Sequence, residues 1–209
     1  MSQEYFDIYD ADMKNIGTKL RSEVHKKGFW HKSFQCWFIG RDNGEEYILF
    51  QKRQFDKDTY PNLFDITAAG HLSAGETVED ACREIKEELG LDVKFQELIP
   101  IDIIKEQKAE LDFIDNEFAN VFLYFCSAPL EKFNLQQEEV TGLYKANLND
   151  IVKLFNKELD FVNLNGFKIN ESGDKEKSCI KALIKDFVPH DFSYYDKVFK
   201  YAKELLQTV

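Results

Sequence analysis

The sequence predicts an α/β domain with helices appended after the sheet, and three observations predict it. Its 209 residues suit one α/β domain of generous size, or a core with an appended helical piece. Segments that alternate apolar and polar residues, as half-buried strands do, are interleaved with segments of helical period. With 44% hydrophobic and 14% aromatic residues there is material for a sizeable core, which excludes the disordered, collagen-like and low-complexity classes.

Alternation over residues 5–9, 34–39 and 47–51 predicts strands, and Asn43-Gly44 between the last two is a turn signal, so 34–51 reads as a hairpin. A helix is expected over about 78–89, opened by Thr77 with Asp80 three residues on and closed by Gly90. Residues 93–103 and 120–126 are strand-like, 143–146 is a short strand, and 147–155 reads as a helix. Beyond about Asp160 the character changes. Residues 175–187 and 193–206 read as two helices separated by Val188-Pro189-His190, with apolar faces that include Ile180, Leu183, Ile184 and Phe187, then Tyr195, Val198 and Phe199. This gives a main domain over 1–160 and a helical extension over 161–209 packed on the same domain.

Charge and cysteine content narrow the function classes. With 27 Lys+Arg against 38 Asp+Glu the net charge is −11, a field that repels polyanions and argues against a broad nucleic-acid grip. A small anion held by a few local cations is compatible with it. The four cysteines, Cys36, Cys82, Cys126 and Cys179, are far apart and have no zinc-type spacing, so reduced thiols in a cytoplasmic protein are expected. No basic and apolar leader opens the sequence, and no apolar run approaches the roughly 18 residues of a membrane span, so no membrane partner is expected.

The chemistry lies in the stretch from Gly70 to Leu91. On a helix at about 100° per residue, Glu84, Glu87 and Glu88 share one arc while Ala81, Cys82, Ile85 and Leu89 share another. Like charges three and four residues apart cost a helix a few tenths of a kcal/mol per pair, a cost that a divalent cation reverses. Hard oxygen ligands on a rigid element, with room for substrate oxygens, are what Mg²⁺ at a phosphate site requires, with Mn²⁺ as a possible substitute.

This stretch resembles the Nudix box, G-x5-E-x7-R-E-U-x-E-E-x-G-U with U aliphatic, the signature of Mg²⁺-dependent hydrolases of nucleoside diphosphates linked to another moiety. Gly70, Glu76, Arg83, Glu84, Ile85, Glu87, Glu88, Gly90 and Leu91 are of the expected types. Only six residues separate Glu76 from Arg83 where the pattern has seven, which predicts a weakened pairing between those two. Within the superfamily, residues 5–150 are most similar to the branch that contains type I isopentenyl diphosphate isomerase. His25 and His31 resemble a two-histidine segment that supplies metal ligands there. Ala69-Gly70-His71 resembles a Cys-Gly-His, and Asp115-Asn116-Glu117 resembles a Glu-Asn-Glu that supplies a metal ligand and a catalytic acid.

The resemblance implies an α/β/α sandwich with a mixed sheet, plus the C-terminal helical extension, and Mg²⁺-dependent hydrolysis of a diphosphate bond in a small substrate. It implies Glu84, Glu87, Glu88 and Glu117 as metal ligands, with Glu117 or a box glutamate, Glu87 or Glu88, taking the proton from water. Lys52, Arg53 and Lys57 precede Tyr60-Pro61, where related proteins hold a phosphate. Alternation puts Lys52 and Arg53 on opposite faces, so Arg53, Lys57 and His71 are the expected substrate contacts. Two rivals stand beside hydrolysis: isomerisation of isopentenyl diphosphate, and a module that binds a nucleotide without cleaving it. A homodimer is left open.

Overall fold

In the computed structural model, which describes residues 4–57, 59–110 and 113–208, eleven strands form one mixed sheet with helices on both faces. The chain begins with β1 (Tyr5–Tyr9), β2 (Asn15–Leu20) and α1 (Arg21–Lys27), then runs through the long hairpin β3 (Trp30–Asp42) and β4 (Glu45–Arg53). Asn43 and Gly44 both take positive φ, 51° and 83°, the turn type whose twist suits two strands. β5 (Phe64–Asp65) and β6 (Ala68–His71) precede the box helix α2 (Arg83–Leu89), and β7 (Ile99–Glu110), β8 (Phe113–Phe125) and β9 (Val140–Asn147) follow it. The chain closes with α3 (Leu148–Phe155), β10 (Val162–Ile169), β11 (Lys175–Ala182) and α4 (Phe192–Leu206).

The hairpin forks, and the fork creates the site. β3 and β4 pair only from Ile39–Ile48 to Asp42–Glu45, near the turn. Beyond that the strands part: β3 takes β6 along the edge it had shared with β4, while β4 takes β5. Parallel pairing of β8 with the other edge of β3 brings Glu117 opposite His31. Alternation along β3 divides the core. Phe34, Cys36 and Phe38 pack with Ala81, Cys82, Ile85 and Leu89 of the box-helix layer, whereas Trp37 and Ile39 pack with residues of α3 and α4. Burial of these side chains at about 25 cal/mol per Å² of apolar surface drives the three-layer α/β/α arrangement.

Two expectations are corrected. Residues 175–187 are a strand and a short 3-10 turn over Ile184–Asp186, not a helix. Ile180, Leu183, Ile184 and Phe187 do have helical spacing, but Ser178, Ile180 and Ala182 turn inward with period two, and β10 supplies a full antiparallel partner. Asn170 fixes the connecting turn by accepting from the Ser172 and Asp174 amides at 3.0 and 2.9 Å. The extension is therefore a hairpin that continues the sheet through β9, plus one helix, α4. Residues 93–103 become a strand only from Ile99, because Phe95–Glu97 forms a 3-10 turn. Among the described residues no helix is long and apolar enough to cross a membrane.

Candidate active site

The Thr77–Asp80 pair forms as its sequence predicts, but the α-helix expected from about residue 78 begins only at Arg83, after a 3-10 turn over Asp80–Cys82. The Asp80 amide donates to Thr77 Oγ1 at 3.2 Å, and the Thr77 amide donates to Asp80 Oδ2 at 2.9 Å, a reciprocal cap. Gly90 ends the helix at φ +71°, with its amide donating to Lys86 O. Ile85 and Leu89 anchor one face, so Glu84 and Glu88 reach the fork. Gly70 lies directly under Glu84; a Cβ there would come within 2.2 Å of the carboxyl carbon. Glu88 is buried, accepting from the Ala69 amide at 3.1 Å, and Glu87 is half exposed. Burial, reinforced by the charge of Glu84, pushes the Glu88 carboxyl up to about 8, and burial likewise raises Glu84. A divalent cation bound between them would favour their charged forms.

The expectation of a weak Glu76–Arg83 pairing is overturned. Arg83 Nε lies 2.6 Å from Glu76 Oε1 and Nη2 lies 3.1 Å from Oε2. Residues Asp80–Cys82 form a 3-10 turn between the two partners. Three residues rising about 2.0 Å each span what four rise at about 1.5 Å in an α-helix, so the missing residue is made up by extension. Arg83 Nη1 also holds Glu84 at 2.6 Å and Glu87 at 2.9 Å.

A second cluster lies where α1, β3, β6 and β8 converge. His25 Nε2, His31 Nε2, His71 Nε2 and Asp115 Oδ1 fall within 4.8 Å of one another, and none of the four buried atoms has a hydrogen-bond partner. His31 Nδ1 faces Phe29 O at 3.0 Å, so that nitrogen carries a proton and Nε2, turned to Asp115, is the one left to ligate when a metal displaces its proton. Phe6 backs the ring of His31, stacked at 5.2 Å, and Phe113 stacks on His25 at 4.3 Å. Burial opposes the Asp115 charge, but His25 and His31 outweigh it and hold its pKa well below the usual carboxylate range. Burial pulls His71 down. Four orphaned buried atoms, three imidazole nitrogens and one carboxylate oxygen, fit a divalent transition metal.

Glu117 stands beside this cluster. Its Oε1 is 3.0 Å from His71 Nε2 without the alignment of a hydrogen bond, and its Oε2 accepts from Ser33 Oγ at 3.0 Å and Gln35 Nε2 at 3.3 Å. The box glutamates, Glu117, and His71 and Asp115 of the second cluster open on one cavity of about 420 Å³, also lined by Arg21, Arg53, Lys57 and Arg83. As alternation predicts, Lys52 turns away from Arg53, its ammonium 4.1 Å from the Phe64 ring centroid. Arg53 lines the cavity while holding Asp65 at 2.8 Å and the Tyr60 and Thr59 carbonyls, and Lys57 pairs with Glu139. Of the residues expected from the sequence, Arg53, Lys57, His71, Glu84, Glu87, Glu88 and Glu117 face one space, whereas His25, His31 and Lys52 are not part of its lining. Sequence reasoning missed Gln51, Lys108 and His190 of the same lining, because none belongs to a local pattern.

Comparison with known proteins agrees with this geometry. The NUDIX domain family matches residues 30–159. An uncharacterized Nudix hydrolase of Clostridium acetobutylicum is 43% identical over 201 residues, covering 96% of this chain and 97% of that one. An isopentenyl-diphosphate Delta-isomerase of Kocuria rhizophila is 28% identical over 118 residues, 56% of this chain and 64% of the isomerase. The crystal structure of a Deinococcus radiodurans protein shares the fold at a TM-score of 0.54 and 17% identity, covering 84% of this chain and 93% of that one. From the forked hairpin and the box helix to the histidine cluster beside it, the chain belongs to the Nudix family and is a Nudix hydrolase.

Proposed function

We propose that this cavity catalyses Mg²⁺-dependent hydrolysis of a diphosphate bond in a small substrate such as a nucleoside diphosphate derivative. The observation that carries the reading is that the box glutamates, Glu117, and His71 and Asp115 of the histidine cluster line a single cavity with five basic side chains, Arg21, Arg53, Lys57, Arg83 and Lys108. Bound divalent cations, held by Glu84, Glu87 and Glu88 and by His25, His31, His71 and Asp115, supply neutralisation of phosphate charge and acidification of water. Arg53 and Lys57 orient the diphosphate, and Glu117, fixed by Ser33 and Gln35, takes the proton from the attacking water. As the water oxygen bonds to phosphorus, the bridging P–O bond breaks and the leaving phosphate departs. The net charge of −11 supports a small substrate over a nucleic acid.

Ala69 supports hydrolysis over isomerisation. It lies in β6 beside Glu88, at the position where the isomerases carry the cysteine that moves a proton, and a methyl group has none to move. Incubation with isopentenyl diphosphate and Mg²⁺ in deuterated water is expected to give no deuterated dimethylallyl diphosphate. A panel of nucleoside diphosphate sugars, dinucleotides and nucleoside triphosphates, with products resolved by mass, is expected to release a monophosphate from at least one. Catalytic deuterium incorporation into the prenyl product, or an inert panel, would overturn the reading.

A further inference from the structure

The cavity wall contains polar groups that neither the box glutamates nor the histidine cluster uses. Gln51 lies on β4, in register with Asp65 of β5, and is 3% exposed. It lines the cavity, and its side-chain amide has no hydrogen-bond partner among the described residues. From Asp65 the wall continues to His190, whose Nε2 is 3.2 Å from Asp65 Oδ1 and whose Nδ1 is 2.7 Å from Glu106 Oε1. With a carboxylate at each nitrogen, both N–H groups donate and the ring is an imidazolium. Its plane is fixed by stacking on Tyr194 at 4.6 Å.

Lys108 comes next. Its ammonium lies 3.2 Å from His190 Nδ1 and 3.8 Å from Glu106 Oε1. An imidazole nitrogen that donates to Glu106 has no lone pair to offer, so Lys108 is left with a long ion pair and no acceptor at hydrogen-bond distance among the described residues. Both groups open on the cavity, so a ligand that displaces its water must supply their hydrogen bonds, since an amide or ammonium buried without them costs about 1–3 kcal/mol or more. Two such groups on one wall of a cavity that holds a diphosphate site mark where the rest of a substrate lies.

We propose that Gln51 and Lys108 read the part of the substrate beyond its diphosphate, and that this part is an oxygen-rich polar group rather than a hydrocarbon. The proposal rests on the hydrolase reading of the same cavity. Lys108 donates to an oxygen of that group, while Gln51 offers it one acceptor and two donors. A prenyl chain in the same place would leave both side chains desolvated and unpaired, and sites built to hydrogen-bond a substrate reject analogues without the group by about 10⁴-fold.

Binding is measured apart from turnover, by calorimetry in Mg²⁺ with methylene-bridged analogues of ADP-ribose, UDP-glucose and isopentenyl diphosphate. The wild type is expected to bind at least one polar analogue about 100-fold or more tightly than the prenyl analogue. Lys108→Met and Gln51→Leu are each expected to lower that ratio about tenfold or more, and Lys108→Arg to restore part of it. Should Lys108→Met fail to fold, Gln51→Leu and Lys108→Arg carry the test. Equal binding of polar and prenyl analogues, or equal losses on both, would overturn the assignment, the latter because it would place Lys108 on the diphosphate. A shifted ratio without turnover of the cleavable compounds would overturn hydrolysis alone, whereas turnover with an unshifted ratio would overturn the inference alone.

Discussion

Arg83 clasps Glu76 at two points, at 2.6 and 3.1 Å, across an interval one residue shorter than the box pattern. The same guanidinium touches Glu84 and Glu87, so Glu76 anchors the arginine that spaces the carboxylates. Glu76→Gln is expected to cost about 1 kcal/mol of stability, since Arg83 is partly exposed, and to lower kcat severalfold as Arg83 shifts onto Glu84 and Glu87. Urea titration and steady-state kinetics check both. Wild-type kinetics in the variant would show that the clasp has no influence on the cluster.

Glu88 and Glu87 differ in burial and should differ in consequence. Glu88→Gln keeps the shape and the amide contact from Ala69 while removing a buried charge, so the metal-free fold is expected to hold while kcat falls by about 10²-fold or more. Glu87→Gln, at a half-exposed side chain, is expected to lower kcat and raise the Mg²⁺ concentration needed for half-maximal rate. Near-normal turnover with unchanged Mg²⁺ dependence in either variant would remove that residue from the ligand set.

The histidine cluster makes its own prediction. Protein purified in the presence of Zn²⁺ or Mn²⁺ is expected to retain about one equivalent through gel filtration, and Asp115→Asn or His31→Ala to lose it, with affinity falling more than the about 10–100-fold typical of a lost outer partner. Elemental analysis of the eluted protein decides. Metal retention by both variants would mean that the four orphaned atoms do not form a site.

His190 gives the fold a pH signature of known sign. Burial and Lys108 oppose its cation, but Glu106 and Asp65 outweigh them and raise its pKa; in return its charge helps hold Glu106 and Asp65 below their ordinary values. Tyr194 and Tyr195 pack against the ring and stay neutral, since burial raises both. The raised histidine contributes stability below its ordinary pKa of about 6.5, lost as pH rises through the raised value. The lowered carboxylates contribute above their ordinary values of about 4, lost as pH falls through the lowered ones. The stability gap between wild type and His190→Gln is therefore expected to be widest near pH 5.5, at about 3 kcal/mol, and to narrow by pH 9. Denaturation at the two pH values measures it; a gap that widens with pH would contradict the charge assignment.

How much the sequence discloses depends on how local each signal is. The Asn43-Gly44 turn and the Thr77–Asp80 pair act within a few residues; both form, although the pair precedes a 3-10 turn and the α-helix starts later than read, at Arg83. The box glutamates were legible because a helix converts spacing directly into a shared face. The strand β11 was not, because its inward residues and a helical stripe share Ile180, and only the distant partner β10 decides between them. Gln51, Lys108 and His190 were hidden for the same reason. They come from β4, β7 and the segment before α4, and their unpaired or shared polar atoms exist only once the sheet has closed.

The cavity draws on residues from both ends of the chain, and this sets the order of its birth. His25 precedes the strands it faces, while His190 and Tyr194 arrive near the end, after β11. On the ribosome, where domains fold from the N-terminal side, the histidine cluster can assemble as soon as β8 emerges, but Gln35 and Trp37 must wait for the Tyr194 hydroxyl that bonds both. A stalled or prematurely released chain ending before residue 190 would thus carry the histidine cluster and box glutamates beside a wall open to water, before the residues that complete the cavity are in place.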